Sequence, residues 1–347
     1  MTPEDKFKNL YPQAVFLDFA TRDWVNILYK NSWIQPSDNI LSVEKPGEGN
    51  MNFVVRVKTT SKSIILKQSR PWVEKYPQVA APVERVAVEA RFYETLSDDD
   101  FYKRYCPRII GFDPVHFLLA MEDLGNGADC TVMYNRNNPM HDGEFKVLIE
   151  FISHLHNTPL QNKERYPDNT ALKKLNHTHI FHFPFLEENG FNLDTVQEGL
   201  QRLSMKYKTN VVLKDNLTNL GNVYLQTGNT LLHGDFYPGS WLRTTSGIKV
   251  IDPEFSYYGR AEFDLGVMAA HLLMAHVKDA HLTELMTKYV MPEGFSRSLF
   301  SRLCGAEILR RIIGLAQLPV DLSLSEKSDL LQRAEQMILQ PEDQTII

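Results

Sequence analysis

Two acidic clusters lie close together in LLHGDFYPGSWLRTTSGIKVIDPEF, residues 231 to 255. Asp235 follows His233-Gly234, while Asp252 and Glu254 flank Pro253. Carboxylates at the ends of short apolar runs do two kinds of chemistry. A single one orients a hydroxyl and accepts its proton. A pair offers hard oxygen ligands to Mg²⁺, which keeps several waters and needs only one or two carboxylates. Each aspartate also has a plain turn-forming reading, since one follows glycine and the other precedes proline.

Upstream residues favour the chemical reading. Lys67 ends the apolar run SIILKQS, and Glu89 lies in a helical stretch from about Pro82 to Leu96. A lysine on a third strand paired with a glutamate on the next helix positions nucleotide phosphates. Gly47-Glu48-Gly49-Asn50 separates two strand-like runs, where glycine lets backbone amides approach a phosphate. Its spacing is not that of a Walker loop, and alone it reads equally as a hairpin turn. The order is then glycine turn, lysine, glutamate, a connector at Met121-Glu122-Asp123-Leu124, and the two acidic clusters. In that order Asp235 is the carboxylate for an acceptor hydroxyl, Ser240 a polar residue five places on beside a metal, and Asp252 with Glu254 the Mg²⁺ ligands.

These residues need a particular scaffold. Residues 5 to 33 read as helix. From Ile40 three short runs rich in Val, Ile and Phe are separated by turns, and residues 107–124 add two more around Asp113-Pro114. Five strands with one inserted helix make an α+β lobe. After Leu124 the pattern turns helical over 144–158, 192–224 and 262–339, interrupted only by the strand-like fragments LLHGD, SWLR and IKVID. The expected division is an N-terminal nucleotide-binding lobe, 1–122, and a helical C-terminal lobe, 123–347.

Composition narrows the setting. The 347 residues carry 37 basic and 43 acidic side chains, a net charge of −6, with no basic stripe for nucleic acid. Cys106, Cys130 and Cys304 are far apart and suit a reducing compartment. The start, MTPEDKFKNL, lacks the apolar core of a signal peptide, and the longest apolar stretch, 265–277, is too short to span a bilayer. A cytoplasmic protein without membrane or nucleic-acid partners is expected.

HGDFYPGSWL followed by KVIDPEFSYYGRAEFDLG resembles the aminoglycoside phosphotransferase and choline kinase superfamily of small-molecule kinases, most of all its 5-methylthioribose kinase branch. GEGNMNFVVRV, ILKQSRPWV and ILRRIIGLA (308–316) are similar to that branch as well. The resemblance implies a bilobal protein-kinase-like fold and transfer from ATP, with Mg²⁺, to a sugar or related alcohol. It implies Asp235 as catalytic aspartate, and Asp252 and Glu254 on the metal. Gly47, Gly49, Asn50, Lys67 and Glu89 would serve ATP, with the backbone of Glu122, Asp123 and Leu124 at the adenine. Arg310 and Arg311 would line the acceptor site, although on residue type alone they read as a solvated helix face. Asp264 would brace the catalytic loop. Phe236-Tyr237-Pro238 departs from the branch's usual leucine-histidine-threonine, which puts Tyr237 and Trp241 at the acceptor pocket. A homodimer is admissible, and the alternatives are an aminoglycoside- or choline-type phosphotransferase or a nucleotide-binding scaffold without activity. His154 and His156 read as helix-end hydrogen-bonding residues, His177, His179 and His182 as a loop, and Trp72 as core or lid.

Overall fold

The structure is a computed structural model that describes residues 2–21, 24–47, 49, 51–159, 163–277 and 279–341. In chain order its first elements are α1 (Pro3–Leu10), α2 (Trp24–Lys30), β1 (Ile40–Glu44), β2 (Phe53–Thr59) and β3 (Ser63–Gln68). Next come β4 (Trp72–Val73), β5 (Tyr76–Ala80), α3 (Arg85–Leu96), α4 (Asp100–Tyr105), β6 (Ile109–Asp113), β7 (Leu118–Glu122) and β8 (Ala128–Asp129). Helices α5 (Asp142–Asn157), α6 (Thr170–His177), α7 (Leu200–Lys208) and α8 (Val211–Leu225) lead to β9 (Thr230–Leu232), β10 (Trp241–Thr244), β11 (Gly247–Val250) and β12 (Tyr257–Gly259). The chain ends with α9 (Glu262–Met274), α10 (Asp279–Lys288), α11 (Arg297–Ile313) and α12 (Leu324–Leu339).

Two compact units result: residues 1–128 with 242–256, and 129–241 with 257–347. The cut near 122 therefore misses a return of the chain. Residues 242–256 belong with the first unit because their side chains are anchored there. Lys249 Nζ donates to the Arg104 carbonyl at the end of α4, and Glu254 is held by Asn52 and Arg85.

In the first unit a five-stranded antiparallel sheet runs in the order β1-β2-β3-β7-β6. Alternation along β3 explains the position of Lys67. Ile64 and Leu66 join a core with Phe53, Val55, Trp24 and Leu28 on one face. Gln68 points the same way, and its amide bonds Leu17 N, Val15 O and His116 O. Lys67 therefore points to the other face, where α3 lies. The expected single helix over 5–33 is two helices: Thr2 and Asp5 form a capping box that starts α1, and the chain leaves helical geometry at Tyr11, before Pro12. Outside this sheet, β4 and β5 pair as a short antiparallel hairpin.

In the second unit α11 packs against both α9 and α12. A Cβ at Gly305 would lie 2.6 Å from the Ala334 carbonyl, so only glycine permits this approach of α11 to α12. Most of α11 from Leu303 to Ile313 is buried, its charged residues included. Ser296 starts the helix by accepting from Leu299 N. Among the described residues, no helix is long and apolar enough to cross a membrane.

Candidate active site

Each of the two units carries its own cluster of the expected site residues. In the first, Lys67 Nζ donates to Glu89 Oε1 at 2.7 Å and also contacts Asp252 Oδ1. Burial lowers the lysine's proton affinity, but Asp252 and Glu89 outweigh it and the net shift is upward, so Lys67 is a fixed cation. Burial pushes Glu89 up to about 7 against the pull of Lys67. Its Oε2 is buried with no hydrogen-bond partner. Asp252 stands in left-handed backbone, φ 64°, ψ 46°, which turns the chain out of β11 into Pro253–Phe255. Its side chain keeps 42 % exposure while Lys67 holds one oxygen.

Glu254 is buried and tied to Asn52 Nδ2 at 2.9 Å and Arg85 Nε at 3.3 Å. Burial raises its proton affinity, and Arg85 and Lys67 act against that. Arg85 is the hub of this corner. It is fully buried and donates to Asn52 Oδ1 and to the carbonyls of Met51, Arg70, Pro82 and Trp72. Sequence reading passed over Arg85 and Asn52. The available signal was a cation in the first turn of α3, where the helix dipole disfavours positive charge and a tertiary partner must compensate.

Neither Gly47 nor Gly49 has positive φ, and a Cβ at Gly47 would meet nothing within 4 Å. Asn50 lies outside the described residues. In the connector, Glu122 is exposed and its Oε2 accepts from Arg108 N at 3.1 Å. Leu124 is half-buried. The Asp123 carboxylate is occupied: Arg56 grips it through Nε at 2.8 Å and Nη2 at 2.9 Å, with Ser63 Oγ and Gly125 N adding donors. Trp72 is core, at 2 % exposure.

In the second unit Asp235 follows Gly234, whose φ of +85° needs glycine at this turn. Asp264, at the start of α9, accepts from His233 N at 2.6 Å and Gly234 N at 2.9 Å. His156 of α5 sits 3.3 Å from the same carboxylate and 2.6 Å from Tyr289 OH. Asp264 thus fixes the backbone that presents Asp235. Ser240 Oγ donates to the Asp235 carbonyl at 2.8 Å and closes the loop from the other side.

Helix α11 brings two arginines to Asp235. Arg311 Nη2 is 3.4 Å and Arg310 Nη2 is 3.6 Å from Asp235 Oδ1. Both are buried, which corrects the solvated-face reading. Burial still raises the proton affinity of Asp235, with Arg311 and Arg310 opposing. Arg311 lies over the Tyr237 ring, 4.8 Å from its centroid. Tyr237 is half-buried, but Trp241 is fully buried and packs on Phe236. Trp241 is a core residue, since a side chain without exposure cannot touch an acceptor.

Sequence reading also missed Glu307, His271 and Tyr134. Glu307 Oε1 accepts from Arg311 Nε at 2.7 Å, and Oε2 pairs with Arg310 Nε. The spacing E-x-x-R-R, at i, i+3 and i, i+4 on one helix, was the legible signal. His271 Nε2 lies 3.0 Å from Glu307 Oε1, and Tyr134 OH lies 2.5 Å from His271 Nδ1. Burial pushes Glu307 up, yet Arg310 and Arg311 hold it well below the usual carboxylate range. It can only accept, so Nε2 carries the ring proton and Nδ1 accepts from Tyr134. His177 and His179 pack on Tyr224 and Phe183, and no group of three His, Cys, Asp or Glu able to hold a metal occurs among the described residues.

Burial drives His271 down to about 4, with Arg311 adding to it against Glu307. The unfolded chain binds this proton near pH 6.5, the folded chain only near 4. The contribution is full above about 6.5 and is lost as the pH falls toward 4, and it is worth about 3 kcal/mol. Urea unfolding from pH 7 to 4.5 should show stability falling less steeply in His271→Gln than in the parent. Equal slopes would refute this.

Residues 42–293 match the family model described as Phosphotransferase enzyme family. The chain is similar to a methylthioribose kinase of Geobacillus sp. (strain WCH70), 26 % identical and covering 86 % of this chain and 84 % of that protein. The fold is similar to Plasmodium vivax ethanolamine kinase, with TM-score 0.55, 13 % identity and coverage of 96 % and 94 % of the two chains. It is also similar to choline kinase LicA from Streptococcus pneumoniae, with TM-score 0.50, 16 % identity and coverage of 90 % and 98 %.

Proposed function

Because this chain belongs to the phosphotransferase enzyme family, we propose that it transfers a phosphoryl group from ATP to a sugar hydroxyl, with 5-methylthioribose the first acceptor to test. The observation that carries the reading is Lys67 held between Glu89 and Asp252. A lysine fixed as a cation meets nucleotide phosphates, while Glu89 keeps it aimed.

Asp252 and Glu254 offer carboxylate oxygens and no nitrogen or sulfur, a donor set that fits Mg²⁺. Magnesium bound there supplies charge neutralisation for the phosphates. The backbone of Glu122 to Leu124 serves the adenine, and Gly47 and Gly49 the phosphates. Asp235 takes the acceptor hydroxyl and its proton, held in place by Asp264 and Ser240. In this reading Ser240 shapes the loop through its hydroxyl proton. Arg310, Arg311 and Tyr237 meet the acceptor, and the guanidinium groups, which only donate, suit a hydroxyl-rich acceptor better than a quaternary ammonium such as choline. Three buried free cysteines support a reducing, cytoplasmic setting.

ADP release with Mg-ATP should appear with 5-methylthioribose and not with choline or an aminoglycoside. Thermal stabilisation by Mg-ATP without ADP release on any acceptor would overturn the reading in favour of a nucleotide-binding scaffold.

A further inference from the structure

Glu307 is 1 % exposed, and both its oxygens are engaged. Each arginine uses its Nε on this carboxylate. That leaves Arg311 Nη2 and Arg310 Nη2 at 3.4 and 3.6 Å from Asp235 Oδ1. A relaxed charge-assisted N–H···O pair closes to about 2.7–2.9 Å. The arginines are therefore held short of a tight pair with Asp235. The hold is itself braced, because His271 donates Nε2–H to Glu307 and Tyr134 fixes the tautomer from behind.

We propose that Glu307 is a positioning residue for the acceptor step, which restrains Arg310 and Arg311 by their Nε atoms so that Asp235 stays open to the acceptor hydroxyl and the Nη2 groups stay beside it. This rests on the functional reading above. Charge balance supports it. Two guanidinium groups face Asp235 and Glu307, so the four charges sum to zero, and a neutral hydroxylated acceptor meets no unbalanced field. Without Glu307 the restraint on both Nε atoms is lost, Arg310 keeps Asn176 Oδ1 at 3.4 Å and Arg311 the Tyr237 ring, and Asp235 becomes the carboxylate that both cations face.

Glu307→Gln keeps the shape and removes the charge. Its kcat/KM for the acceptor should fall about 10²-fold, the scale of a misplaced catalytic group, while KM for ATP stays within about twofold. In an Arg311→Gln background the same substitution should cost less than about tenfold further, because the effect travels through the arginines. Tyr134→Phe, which removes one hydroxyl, should raise the acceptor KM several-fold with ATP KM unmoved, and it carries the test if Glu307→Gln does not fold. Acceptor constants within twofold of the parent in the folded variants would overturn the inference alone. So would an equal loss in the Arg311→Gln background, or a parallel rise in KM for ATP. A parent enzyme that transfers to no acceptor would overturn the functional reading, and the inference with it.

Discussion

Asp235→Asn should lower kcat by about 10³-fold, roughly 4 kcal/mol of transition-state stabilisation, in the middle of the range for loss of a positioned proton acceptor. The amide occupies the same volume but cannot take the hydroxyl proton. Stability should hold or rise slightly, because burial already disfavours the ionised form of this side chain. The loop should persist as well, since Asp264 holds His233 and Gly234 and Ser240 holds the Asp235 carbonyl, all through backbone groups the substitution leaves intact. ATP affinity by calorimetry should change less than twofold. Turnover within tenfold of the parent, in a protein that binds ATP normally, would remove Asp235 from the chemistry.

Asp252→Asn should produce the second large loss, about 10²- to 10³-fold in kcat/KM, from weakened charge stabilisation. Asparagine is the appropriate replacement because the position is left-handed, at φ 64°, and asparagine tolerates that region while alanine does not. Lys67 would keep Glu89 at 2.7 Å, so the fold around α3 should survive. The diagnostic measurement is thermal stabilisation by ATP with and without Mg²⁺. The Mg²⁺-dependent increment should vanish and the increment from ATP alone should remain. An unchanged magnesium dependence would assign the metal elsewhere.

Much of this was legible in the sequence because the relevant residues sit in local patterns. Lys67 ends an apolar run, so strand alternation decides its face. Asp235 and Asp252 follow strand-like fragments, and glycine or proline marks the turns beside them. The five strands and α3 follow from composition and period alone. The hidden residues are those whose partners are distant in sequence. Asn52 meets Glu254 across 202 positions of chain, and Tyr134 meets His271 across 137. No period reports such pairs. Trp241 misled for the opposite reason: an aromatic beside a catalytic motif has no sequence mark that separates a pocket wall from a core side chain. The β4–β5 hairpin escaped because β4 has two residues and Tyr76–Ala80 only five, without apolar-polar alternation and interrupted by Pro77.

The return of residues 242–256 to the first unit bears on how such a protein can be taken apart or recombined. A gene fragment ending at residue 128 would encode Lys67 and Arg85 without Asp252 and Glu254. Two buried cations would then lose carboxylate partners, a defect of several kcal/mol that a domain of this size rarely tolerates. The halves are therefore not exchangeable cassettes. A chimera that borrows a relative's first 128 residues must borrow its equivalent of 242–256 too, and a split reporter cut at 128 should assemble only when the second piece donates that hairpin in trans.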